Sequence, residues 1–107
     1  PGRRVQSPAM YRKGVEVKIP VSYTGQIKSA VGVPSEQVDL TVSSTLIELI
    51  RRLAERHSKA ALHLLTEDGN VQRALLLVLN NEQIFPGNDP QLTEGDQVTI
   101  MPPISGG

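Results

Sequence analysis

At 107 residues the chain is long enough for one domain with a modest single core. Its 11 basic and 11 acidic side chains balance, so no global field favours nucleic acid or an anionic membrane. The absence of cysteine excludes disulfides, thiolate metal sites and a cysteine nucleophile.

No apolar run approaches the roughly 18 residues of a spanning helix, and no signal-peptide pattern opens the chain. The expectation is a soluble, cytoplasmic protein with no nucleic-acid or membrane partner. Residues 1–14 (PGRRVQSPAMYRKG) lack apolar periodicity and carry Arg3, Arg4, Arg12 and Lys13, which reads as a flexible N-terminal arm. Met10 is a candidate natural start, with an added segment before it.

Residues 15–23 alternate, Val15, Val17, Ile19 and Val21 on one side and Glu16, Lys18, Pro20 and Ser22 on the other. That period of two predicts a half-buried strand, and the missing donor at Pro20 argues for an edge position or a break in pairing. Thr24-Gly25 predicts a turn, followed by a second strand between Gln26 and Val42, interrupted by Gly32-Val33-Pro34-Ser35. Its later piece alternates through Val38, Leu40 and Val42.

Thr45 and Glu48 form a capping box, and Leu46, Leu49, Ile50, Leu53 and Ala54 recur with helical spacing. Arg51, Arg52, Glu55 and Arg56 take the opposite face. A second, weaker helical stretch is expected over residues 59–65, ending before the turn Asp68-Gly69-Asn70. Leu75 to Leu79 is a run of five apolar residues before Asn80-Asn81 and reads as a strand, with a helix as the alternative. Such a run covers both faces of a sheet, so one face would pack on the helix and the other would be a partly exposed apolar surface. Leu75, Leu77, Leu79 and Phe85 are therefore candidate docking residues, with the outward parity open.

Gln83-Ile84-Phe85 is a short strand-like piece, Leu92 to Asp96 a compact turn, and residues 97–101 a final alternating strand. Pro102 and Pro103 cannot donate to a ladder and stiffen the chain into an extended form. The sequence then closes on Ile104-Ser105-Gly106-Gly107. A Gly-Gly pair fits a channel too narrow for other residues, and a glycine carboxylate is unhindered. It is also a common composition for a merely floppy end.

His57 and His63 have no acidic or thiol partner at a metal-like spacing, and no metal site is expected. His57 closes the helix, where a cation is ordinary electrostatics. Nothing resembles a Walker loop, a dinucleotide fingerprint or a nucleophile elbow, which argues against a self-contained enzyme.

The order strand, strand, helix, strand, short strand, strand predicts an α+β β-grasp. It has a mixed four- to five-stranded sheet on one main helix, with the last strand between the first and third. The expected organisation is an arm over 1–14, the β-grasp domain over 15–101 and an extended tail over 102–107.

Four features resemble the MoaD/ThiS family of ubiquitin-like sulfur carriers. They are the capped helix after a strand pair, the turn Asn80-Asn81-Glu82, the approach Thr93-Glu94-Gly95-Asp96-Gln97-Val98-Thr99-Ile100, and the ending Met101-Pro102-Pro103-Ile104-Ser105-Gly106-Gly107. Asn81 stands where the family usually has glycine, and the loop at residues 32–36 is longer than in compact members. Ile19-Pro20 and Thr24-Gly25-Gln26 are similar to carriers serving cysteine biosynthesis. The Pro-Pro-Ile-Ser ending is similar to molybdopterin-synthase small subunits.

The resemblance implies a carrier acted on by a ubiquitin-activating-type (MoeB/ThiF-like) adenylyltransferase, which would supply ATP and Mg; this chain would bind no cofactor. The Gly107 carboxylate would be adenylated and converted to a thiocarboxylate, with Gly106 beside it and Pro102, Pro103, Ile104 and Ser105 positioning the tail. The sulfur would pass to an acceptor enzyme such as a molybdopterin-synthase large subunit or a cysteine synthase, or into thionucleosides. Two alternatives share the sequence: a ubiquitin-like modifier conjugated to lysines, and a β-grasp interaction domain that is never activated.

Overall fold

The computed structural model describes residues 16–103. Strand β1 (Glu16–Tyr23) follows its alternation: Val17, Ile19, Val21 and Tyr23 are buried and the residues between them exposed. Helix α1 (Gly25–Val31) comes next, then β2 (Ser35–Thr41), helix α2 (Leu46–Arg56), a 3-10 turn (Ser58–Ala60), the single turn α3 (Ala61–Leu64), and strands β3 (Leu76–Leu79), β4 (Glu82–Ile84) and β5 (Val98–Met101).

The five strands form one mixed sheet in the order β2-β1-β5-β3-β4. β1 runs parallel to β5, with Val21, Ser22 and Tyr23 opposite Val98, Thr99 and Ile100. β3 is antiparallel to both β5 and β4. The last strand thus lies between the first and third, as the β-grasp order predicts, and the sheet has five strands.

The segment after Thr24 corrects the sequence reading. Residues 25–31 are helical rather than the first piece of a second strand, and β2 begins only at Ser35. β1 and β2 are antiparallel neighbours, but a helix joins them in place of a tight hairpin turn. The helix buries Ile27 and packs Ala30 and Val31 against the core, a spacing of three and four residues. Gly32 ends it at φ 98°, a left-handed conformation open to glycine, and its N–H donates to the Lys28 carbonyl at 2.8 Å.

Pro20 also lies differently from an edge residue, because β1 has a neighbour on each side. Tyr23 N–H donates to the Pro34 carbonyl, and alternation along the register puts the Pro20 nitrogen on the β5 side. The β5 ladder starts only at Val21, so pairing on that side is absent at Pro20, in line with the second alternative, a break in pairing. Two residues earlier, Lys18 N–H points the same way and donates to Glu94 Oε1 at 3.1 Å.

Helix α2 has the predicted capping box: Glu48 N–H donates to Thr45 Oγ1, and Thr45 N–H to Glu48 Oε1 at 2.8 Å. Asp89 Oδ1 takes a further free donor, Ile47 N–H, at 2.8 Å, so the loop before β5 is strapped over the helix start. Leu46, Leu49, Ile50, Leu53 and Ala54 turn inward onto Ile19, Val21, Val38 and Ile100 of the sheet, with Leu64 and Leu92 completing the core. The weaker helical stretch over residues 59–65 is the 3-10 turn and α3. At the β3–β4 hairpin Asn80 and Asn81 have φ of 50° and 74°, the left-handed pair that a two-residue turn requires and that asparagine tolerates.

Candidate functional site

The parallel β1–β5 pair carries both strands to the same end of the sheet, so Thr24 and Gly25 lie beside Met101 and Pro102. Thr24 N–H donates to the Ile100 carbonyl at 3.3 Å, extending the pairing by one residue. Gly25 has φ 58°, and a β-carbon there would stand 2.7 Å from Pro102 Cγ and 3.3 Å from its Cδ. Glycine is needed at 25 for two reasons: the backbone is left-handed, and the proline ring fills the side-chain volume. Pro102 is thereby seated at the end of the central strand β5 and Pro103 is exposed beyond it. Ile104, Ser105, Gly106 and Gly107 lie outside the described residues.

The approach to β5 is held by one carboxylate. Asp96 accepts from Thr93 N–H at 2.8 Å, from the Thr93 hydroxyl at 3.3 Å and from Asn80 Nδ2 at 2.8 Å. Asn80 Oδ1 in turn accepts from Gln97 N–H at 2.8 Å. Burial pushes the Asp96 carboxyl up, but the bonds from Thr93 and Asn80 outweigh it and hold the group below its ordinary range. The β3–β4 turn and the turn into β5 are therefore tied together.

The parity of β3 is settled by its neighbours. Leu75 and Leu77 are only 5% and 8% exposed and belong to the core, and Leu79 packs against it. The outward side chains are Leu76 and Val78, both half-buried. Leu76 pairs with Met101 and Val78 with Thr99, so Leu76, Val78 and Met101 form an apolar patch on the open face of the sheet, ending one residue before Pro102. Of the four docking candidates, Phe85 is well exposed, at 59%. Leu75, Leu77 and Phe85 come together elsewhere, lining a groove between α2 and β4 on the helix side of the sheet.

Comparison with known proteins gives the family. The ThiS family model matches residues 21–107. The chain belongs to the ThiS family. It is 30% identical over 83 residues to the molybdopterin synthase sulfur carrier subunit of Dictyostelium discoideum, covering 77% of this chain and 87% of that one. It is 25% identical over 91 residues to the protein of the same description from Chlamydomonas reinhardtii, covering 85% of this chain and 100% of that one. The crystal structure of SAMP1 from Haloferax volcanii superposes with a TM-score of 0.75 at 20% identity, covering 84% and 99% of the two chains, and shows the same fold.

Within this ThiS-family domain the Gly-Asp motif before the last strand has a structural explanation, since Asp96 organises two turns. One cluster escaped sequence reasoning. Glu36 at the start of β2 accepts from the Tyr23 hydroxyl, stands 2.6 Å from His57 Nε2 and accepts from Arg56 Nη1 at 3.1 Å. The His57 ring also meets Tyr23 edge to face. Burial raises the Glu36 carboxyl, yet the bonds from Tyr23 and His57 and the Arg56 charge hold it below its ordinary range. Burial and the bond to Glu36 raise the Tyr23 phenol. No local pattern announces a contact between residues 21 positions apart (His57 and Glu36); only the packing of α2 on the sheet brings them together. His63 has no part in the cluster and is exposed. Among the described residues no group of three potential metal ligands converges, and no helix is long and apolar enough to cross a membrane.

Proposed function

We propose that this ThiS-family chain is a sulfur carrier whose reactive group is the Gly107 carboxylate. The observation that carries the reading is the family match, which runs through the Pro-Pro-Ile-Ser-Gly-Gly ending to Gly107. The seating of Pro102 against Gly25 supports it, because it gives the Gly-Gly ending a defined point of departure from the sheet.

The chemistry belongs to a partner of the ubiquitin-activating type, with MgATP in its own site, and the reading sets this exchange in the cytoplasm. A carboxylate is a poor acyl donor because oxide is a poor leaving group. An oxygen of Gly107 attacks the α-phosphorus of ATP, pyrophosphate leaves, and the acyl-adenylate then carries AMP as a good leaving group. Hydrosulfide adds to the acyl carbon, the bond to AMP breaks, and a proton is released to leave the thiocarboxylate. Gly106 and Gly107 present no side chain to the narrow channel such a step needs, and Ile104 and Ser105 separate them in sequence from the proline pair. The open-face patch of Leu76, Val78 and Met101 is the docking surface for the activating partner, because it leads directly into the tail. The sulfur acceptor best supported is a molybdopterin-synthase large subunit, from the two sulfur carrier subunits that the chain resembles.

The test is mass spectrometry of the chain co-expressed with a MoeB/ThiF-like enzyme. A mass gain equal to the exchange of one oxygen for sulfur at Gly107 is expected. Tryptic peptides of other proteins carrying residues 74–107 on lysine, the fragment left by cleavage at Arg73, with no sulfur gain, would instead assign a protein modifier. Unmodified chain after activation with ATP and hydrosulfide would overturn both.

A further inference from the structure

The open-face patch and the tail leave one prominent surface feature unused. On the helix side of the sheet, a groove of about 200 Å³ lies between α2, the loop over residues 70–75 and the chain after β4. Leu46, Leu75, Leu77 and Ile84 form its apolar floor, and Phe85, 59% exposed, stands at its lip. Its charged lining residues are Arg51 and Arg73, both exposed, and neither has an ion-pair partner among the described residues.

We propose that this groove docks an acidic segment of a partner protein, which inserts one bulky apolar side chain between carboxylates that meet Arg51 and Arg73. Three observations select that occupant. The volume is below the roughly 300–1,000 Å³ of pockets built for drug-sized molecules and suits a side-chain anchor. The floor is apolar while both charged lining residues are arginines, which calls for an apolar group with negative flanks. The same charges oppose two occupants from the protein itself. Residues 1–14 carry Arg3, Arg4, Arg12 and Lys13 and no acidic side chain. A second copy meeting this face with its own would set arginines against arginines. The groove lies on the opposite side of the sheet from Leu76 and Val78, so its occupant can bind while the open face is engaged. The inference stands on the groove alone, independent of the chemistry at Gly107.

The experiment is a nuclear magnetic resonance titration of the full chain, isotopically labelled, with the capped peptide Asp-Asp-Leu-Phe-Asp-Asp and its counterpart in which lysine replaces each aspartate. Saturable shifts at the amides of Leu46, Leu75, Leu77 and Phe85 are expected with the acidic peptide. The double variant Arg51→Glu/Arg73→Glu should weaken the affinity by roughly tenfold or more, and added salt should weaken the wild type but not the variant. Phe85→Ser removes an exposed side chain and should also weaken binding while the spectrum stays that of a folded domain. The proposal is overturned if the lysine peptide binds equally well, if the arginine double variant binds unchanged, or if no groove amide moves. It is equally overturned if deleting residues 1–14 shifts the groove amides, or if the chain dimerises in solution through Phe85, since either result names a different occupant.

Discussion

The ring of Pro102 occupies the volume that a side chain on Gly25 would need, with a β-carbon at residue 25 only 2.7 Å from Pro102 Cγ. Two residues 77 positions apart (25 and 102) are thus fitted to each other where the last strand becomes the tail. Gly25→Ala should cost about 2 kcal/mol from its left-handed backbone, with the clash in addition. The double variant Gly25→Ala/Pro102→Ala removes the ring but not the backbone strain. Urea denaturation should find it more stable than the sum of the single changes predicts, a coupling that additivity would contradict.

The carboxylates of Glu36 and Asp96 make the fold acid-sensitive. Both are held below their ordinary range in the folded state, so their contribution is fully present above the unfolded carboxylate range. It is lost as the pH falls through the folded value. Glu36→Gln should lower stability at neutral pH by about 1–3 kcal/mol, since it weakens bonds to Tyr23, His57 and Arg56 together. The gap between wild type and variant should narrow as denaturation is repeated at successively lower pH. A constant gap would mean the Glu36 charge contributes nothing.

Asp96→Asn tests the tie between two turns. Losing its charge-assisted bonds to Thr93 and Asn80 should cost about 1–2 kcal/mol and loosen the β3–β4 hairpin. Hydrogen exchange at Gln97 N–H, which Asn80 holds, should accelerate more than exchange at Ile19 in the core.

The two parities of β3 should separate stability from docking. Leu77→Ala empties a buried site and is expected to cost about 2–5 kcal/mol, as is Leu53→Ala in α2. Val78→Glu on the open face should change the denaturation midpoint little, yet slow adenylation by roughly tenfold by placing a charge in an apolar contact. Equal adenylation rates would show that the activating enzyme does not use this face.

Gly107→Ala should leave the thermal midpoint unchanged, because a glycine has no side chain to contribute to a core. Pyrophosphate release with a MoeB/ThiF-like enzyme should nevertheless fall sharply, as one methyl group obstructs a channel shaped for glycine. Unchanged release would remove the steric argument.

Much of this was legible from residue order, for a local reason. Alternation in residues 16–23 and the three-four spacing from Leu46 to Ala54 are consequences of strand and helix geometry, so each element declares its buried face. The capping box and the Asn80-Asn81 turn are equally local, and the order of elements constrained the sheet to the β-grasp arrangement. Helix α1 was missed although Ile27, Ala30 and Val31 carry its period. Seven residues beginning with glycine hold too little pattern to outweigh a strand-turn-strand reading.

The remainder depends on which surfaces face each other. Five consecutive apolar residues contain no parity; pairing with β5 turned Leu77 inward and Val78 outward. The partners of Glu36 come from β1 and from α2 with its C-cap, and no spacing along the chain encodes their meeting. Glycine at 25 read as an ordinary turn residue, and only the fold revealed the ring of Pro102 in the space it leaves open.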